Sequence, residues 1–79
     1  MVLEIKIPVI EEGVEEYVVS YWFKKSGDVV KRNEDLVEID TDMDTYTIPA
    51  EADGVLEIVA EEGTYLKPDD ILYTIKTND

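Results

Sequence analysis

The chain has 79 residues, 44% of them apolar, and carries seven basic against twenty acidic side chains for a formal net charge of −13. It has neither cysteine nor histidine, which excludes a disulfide framework, a cysteine zinc site and any histidine-based catalytic triad. The charge disfavours phosphate backbones and anionic lipid and favours basic partner surfaces.

Taken in chain order, the elements are short and strand-like. Glu4-Ile5-Lys6-Ile7 alternates polar and apolar until Pro8 stops it, and the stretch from Val9 to Tyr17 carries Glu11, Glu12, Glu15 and Glu16 as a solvated loop. Tyr17 to Phe23 is rich in aromatic and β-branched residues and runs into a Ser26-Gly27-Asp28 turn. Leu36 to Ile39, Tyr46 to Ile48, Val55 to Val59 and Ile71 to Ile75 are four further candidates. Proline or glycine punctuates the chain about every ten residues, a spacing that predicts an all-β sandwich or barrel. Trp22 is expected to be a core aromatic. No apolar run approaches the ~20 residues of a membrane span. The opening MVLEIKIP lacks the basic leader and apolar segment of a signal peptide, so a cytoplasmic location is expected.

An internal repeat organises these elements. Ile7-Pro8 matches Ile48-Pro49 at an offset of 41, and from Val19 the offset becomes 36. At that offset Val19 meets Val55, Gly27 meets Gly63, Lys31 meets Lys67, Leu36 meets Leu72, Ile39 meets Ile75 and Thr41 meets Thr77. The difference places a five-residue insertion between Pro8 and Val19. Two similar halves imply two sheets facing each other across a pseudo-twofold axis. The stretch Asp40-Thr41-Asp42-Met43-Asp44-Thr45 then falls opposite the chain termini, on an exposed tip.

Residues alone allow several uses of that tip. Asp40, Asp42 and Asp44 stand at positions one, three and five of a calcium loop with Glu51 at twelve, but Thr45 occupies the position that needs glycine and Pro49 opposes a flanking helix. No metal site is assigned. The plain alternative is a hairpin turn built from short oxygen side chains, with Met43 an ordinary exposed apolar residue. No catalytic residue is assigned anywhere in the chain.

The order of motifs resembles a lipoyl domain of the biotinyl/lipoyl-attachment family, over nearly all of the chain. Glu12-Gly13-Val14-Glu15-Glu16 resembles the family's Gly-Glu-Gly-Ile loop, with Glu11 in place of its first glycine. Trp22 through Gly27-Asp28 resembles its Trp-x-x-x-x-Gly-Asp segment, and Glu38-Ile39-Asp40-Thr41-Asp42 its approach to the modified hairpin. Ile48-Pro49-Ala50, Asp53-Gly54-Val55 and Glu62-Gly63 complete the series. The resemblance implies an all-β flattened barrel-sandwich hybrid of two four-stranded sheets with pseudo-twofold symmetry. Residues 1–79 would form a single lipoyl-like domain, the N-terminal part of a longer acyltransferase component of a 2-oxo acid dehydrogenase complex, non-catalytic by itself.

In that family a lysine on the hairpin tip bears lipoate as a swinging arm. The resemblance puts Met43 at this position between Asp42 and Asp44, so lipoate is expected on functional relatives and no cofactor on this chain. A biotinyl carrier fits less well, because that branch has Met-Lys-Met where Asp42 precedes Met43. The loop residues Glu11, Glu12, Gly13, Val14, Glu15 and Glu16 would be read by a partner. The implied partners are the 2-oxo acid dehydrogenase component and dihydrolipoamide dehydrogenase of the complex, with lipoate ligase for lysine-bearing relatives and an isolated domain that is monomeric. The competing reading is a stand-alone protein-interaction adaptor on the same barrel, with no prosthetic group.

Overall fold

The structure, a computed structural model, describes residues 1–7 and 13–77, and among these there is no helix. Eight strands follow one another: β1 (Val2–Lys6), β2 (Tyr17–Trp22), β3 (Val29–Val30), β4 (Asp35–Asp40), β5 (Thr45–Pro49), β6 (Gly54–Ile58), β7 (Tyr65–Leu66) and β8 (Ile71–Lys76). All six sequence-predicted strands are present, with ends shifted by a residue or two. The two-residue strands β3 and β7 are additions, too short to show a period.

Two four-stranded antiparallel sheets result, in the orders β1-β8-β6-β3 and β5-β4-β2-β7. Advancing every strand by four places in the chain turns the first order into the second, which is the expected pseudo-twofold relation. Each sheet draws two strands from each half, so neither half builds a sheet alone. The molecule is elongated, 37 × 19 × 19 Å.

The register corrects the repeat read from the sequence. Ile7 N–H donates to Asp70 O and Ala50 N–H to Glu34 O, both at 2.8 Å, so Ile7 is the mate of Ala50 rather than of Ile48. The β1/β5 offset is therefore 43. Along β2, Val18 opposes Asp40 while Val55 opposes Lys76, so Val55 is the mate of Val18 and not of Val19. A bulge after Val19 returns the offset to 36 at Tyr21. The insertion in the first half is thus larger than five residues, and one residue of it sits inside a strand. The Ile-Pro match was a coincidence of two strand ends.

The core lies between the sheets: Tyr17, Val19 and Trp22 from β2, Leu36, Val37 and Ile39 from β4, Leu56 from β6, and Leu72, Tyr73 and Ile75 from β8. Leu36-Val37 and Leu72-Tyr73 break strict alternation because each pair sits at a register shift, where one extra residue lets two neighbours face inward and curls the strand over the core. Trp22 is in the core as expected. Its indole Nε1–H donates to Ala60 O at 2.8 Å, and its ring meets Tyr73 edge-on at 6.1 Å between centroids, so the buried polar end is satisfied. Across the pseudo-axis the halves tie each other reciprocally. Trp22 N–H donates to a Glu62 carboxylate oxygen, and its mate Ile58 N–H donates to Ser26 Oγ.

Candidate functional site

The β4–β5 hairpin carries the Asp40–Thr45 stretch. Asp40 and Thr45 are its last paired residues, and Thr41 N–H donates to Asp44 O at 2.8 Å, closing the turn around Asp42 and Met43. Neither of these two has a positive φ, so the turn is not of the primed kind that would call for glycine. Side chains hold it instead. Thr41 Oγ1 accepts from the N–H groups of Met43 (3.2 Å) and Asp44 (3.0 Å) and donates to Asp44 O (3.2 Å). Thr45 Oγ1 donates to Asp40 Oδ1 at 2.8 Å, and Tyr46 OH makes a long contact of 3.5 Å to Asp44 Oδ2. Short hydroxyl side chains thus bond the turn's own backbone and its flanking carboxylate.

The symmetry mate of this turn is the pair of chain ends. Thr77 N–H donates to Met1 O at 2.8 Å and Thr77 Oγ1 to the same oxygen at 3.1 Å, repeating the two bonds from Thr41 to Asp44. The tip therefore belongs to the half-molecule opposite the termini. Met43 stands on it 81% exposed, flanked by the exposed Asp42 and Asp44.

Beside the tip runs a groove of about 600 Å³, lined by Gly13 to Val18, Asp40 to Met43 and Tyr65. The structure thus brings four of the six loop residues picked from the sequence, Gly13, Val14, Glu15 and Glu16, to the hairpin. Val14 packs partly on the core, while Gly13 (φ +87°), Glu15 and Glu16 are exposed. Glu11 and Glu12 lie outside the described residues. Among the described residues the lining holds four carboxylates (Glu15, Glu16, Asp40 and Asp42) and no cation. Among the described residues no three such groups converge to hold a metal ion.

Sequence reasoning missed Tyr65, 68% exposed on β7 and paired with Val18 across the groove floor. Its only sequence signal was the repeat, which makes it the mate of Val29 in β3. A second groove, lined by Val29 to Lys31, Asp53 to Val55 and Lys76, is the first one's mate without the loop and the hairpin. The tip also presents no amine: the basic residues are Lys6, Lys24, Lys25, Lys31, Arg32, Lys67 and Lys76, none of them between β4 and β5.

A model of the family named for biotin and lipoyl attachment, described as "Biotin-requiring enzyme", matches residues 3–75. The chain belongs to the biotin/lipoyl family. Among its relatives, the dihydrolipoyllysine-residue succinyltransferase component of the 2-oxoglutarate dehydrogenase complex of Haemophilus influenzae is 44% identical over 98% of this chain and 19% of the relative. The Escherichia coli K12 component of the same description is 45% identical over 89% of this chain and 18% of its own length. The acetyltransferase component of the Staphylococcus aureus pyruvate dehydrogenase complex is 32% identical over 100% and 19%. The chain thus spans about a fifth of the length of the curated relatives it matches. The solution structure of the lipoyl domain of the Azotobacter vinelandii 2-oxoglutarate dehydrogenase complex superposes with a TM-score of 0.80 at 37% identity, covering 98% of this chain and 99% of that one. The flattened all-β sandwich expected from the sequence is that of a lipoyl domain, a carrier rather than a catalyst. No helix of the described residues is long and apolar enough to cross a membrane.

Proposed function

We propose that this chain is the lipoyl-type domain of an acyltransferase component of a cytoplasmic 2-oxo acid dehydrogenase complex, with Met43 where lysine-bearing relatives hold their arm. The observation that carries the proposal is the tip itself: a turn braced by Thr41 and Thr45, with one long unbranched side chain projecting between two aspartates. Such a platform suits a residue that other proteins must reach. Met43 does not fit the prosthetic group. Amide formation needs a nitrogen nucleophile that can shed a proton, and a thioether has none. The platform is present and the attachment chemistry is not.

What remains is recognition. Gly13 to Glu16 and the aspartates beside Met43 would form the surface met by the dehydrogenase component, and dihydrolipoamide dehydrogenase belongs to the same assembly. The groove supports this reading, because it joins Gly13–Glu16 to Asp40–Met43 in one charged wall. The isolated domain is expected to be monomeric, as a net charge of −13 repels a second copy.

The test restores the missing amine. Met43→Lys, incubated with a bacterial lipoate ligase, lipoate and ATP, is expected to gain the mass of one lipoyl group on residue 43, while the parent chain gains nothing. A folded Met43→Lys domain that stays unmodified would overturn the assignment.

A further inference from the structure

Methionine and lysine share an unbranched path: Cβ, Cγ, Sδ and Cε of Met43 match Cβ, Cγ, Cδ and Cε of a lysine, and only the terminal nitrogen is missing. Both adapt readily to a narrow channel. Met43 is 81% exposed, so little must be unpacked before it enters one. The surrounding turn keeps its bonds from Thr41 and Thr45, and Asp42 and Asp44 keep their charges outward.

We infer that this chain is a dead-end ligand for the enzyme that modifies tip lysines, seating Met43 in the ligase's lysine channel and blocking it. The inference rests on the assignment of the chain as a lipoyl-type domain. An enzyme that acylates such a lysine binds the platform and the stem in its ground state and needs the amine for the chemistry. Groups that bind equally before and during reaction contribute affinity alone, and that affinity is what Met43 retains. In transfer to a lysine, the deprotonated amine forms the C–N bond to the carbonyl of the acyl adenylate, the C–O bond to AMP breaks, and the nitrogen releases its second proton. With Met43 in place no bond forms and the acyl adenylate stays where it is. The lost hydrogen bonds of the amine are offset in part, because a thioether enters an enclosed channel without the dehydration cost of an ammonium. The chain's affinity is therefore expected within about tenfold of its own lysine variant.

The experiment uses the Met43→Lys chain as substrate and the parent chain as competitor, with one lipoate ligase, lipoate and ATP. Parent chain at about ten times the KM of the variant should slow sub-saturating transfer by about two- to tenfold, raising KM and leaving kcat unchanged. Met43→Ala, which keeps the turn and removes the stem, should compete about tenfold less well. If Met43→Lys is modified but the parent chain does not compete, the inference falls while the lipoyl assignment stands. If Met43→Ala competes as well as the parent, the platform alone binds and the role given to the Met43 side chain is wrong. If Met43→Lys is never modified, the underlying assignment fails first.

Discussion

Burial of Tyr73 pushes its phenol up to about 12, since desolvation disfavours the charged tyrosinate. Its hydroxyl donates to Pro49 O at 3.3 Å and its ring lies against Trp22. A group whose pKa rises on folding from 10.0 to about 12 stabilises the fold fully below pH 10, and that contribution is lost as pH climbs toward 12. Two units correspond to about 3 kcal/mol, a sizeable part of the margin of a domain this small. Alkaline titration followed by tyrosinate absorbance and far-UV circular dichroism is expected to show unfolding between about pH 10 and 12. Tyr73→Phe should remove most of that slope and cost about 1 kcal/mol at neutral pH through the lost hydrogen bond. A Tyr73→Phe domain with an unchanged alkaline transition would assign the slope to other groups.

Among the strands, β6 depends on its first residue. Gly54 has φ +157°, and a Cβ built there overlaps the carbonyl oxygen of Lys76 and lies 2.6 Å from Ile75 Cγ2. The neighbours that would have to yield are the backbone and core of β8, so no flexible side chain relieves the clash. Gly54→Ala is expected to cost about 3 kcal/mol, read as a lower denaturant midpoint with an unchanged m-value. A loss under about 0.5 kcal/mol would mean that β6 and β8 separate easily, against this account. The same register position in the other sheet holds Tyr17, fully buried and without a positive φ, so the halves share strand pairing here but neither backbone conformation nor filling. That difference explains what the sequence showed and what it hid. Strands of five or six residues with alternating apolar positions were readable, and so was the tip, because three aspartates around one methionine are conspicuous. The bulge after Val19 was invisible, since a residue that slips register keeps its chemistry. Tyr65 was hidden because a two-residue strand has no pattern, and the equivalence of Ile7 and Ala50 because only their matching bonds, to Asp70 O and Glu34 O, relate them.

On the scale of the whole molecule, a charge of −13 is spread over a body only 37 × 19 × 19 Å. At about 0.01 M salt the screening length is about 30 Å, so most of these charges feel one another; at about 0.15 M it is about 8 Å. Self-repulsion opposes the compact state, and screening should relieve it. Thermal unfolding is expected to move up by about 4–8 °C between these salt concentrations, equivalent to about 1 kcal/mol. A midpoint that falls instead would show that local ion pairs, such as Lys24 Nζ to Glu34 Oε2 at 3.4 Å, outweigh the global repulsion.

Thr77 and Met1 meet through the same two bonds that Thr41 makes to Asp44, so the termini stand as a hairpin with its loop cut. In topological terms the domain is a ring of eight strands opened at one of two equivalent corners. A short link between Thr77 and Met1 would close the ring, and a cut between Asp42 and Met43 would reopen it at the other corner without disturbing a strand. Strand order and pairing are alike at both corners; the groove of Gly13 to Val18 and Tyr65 beside the hairpin is what marks the corner with the exposed methionine.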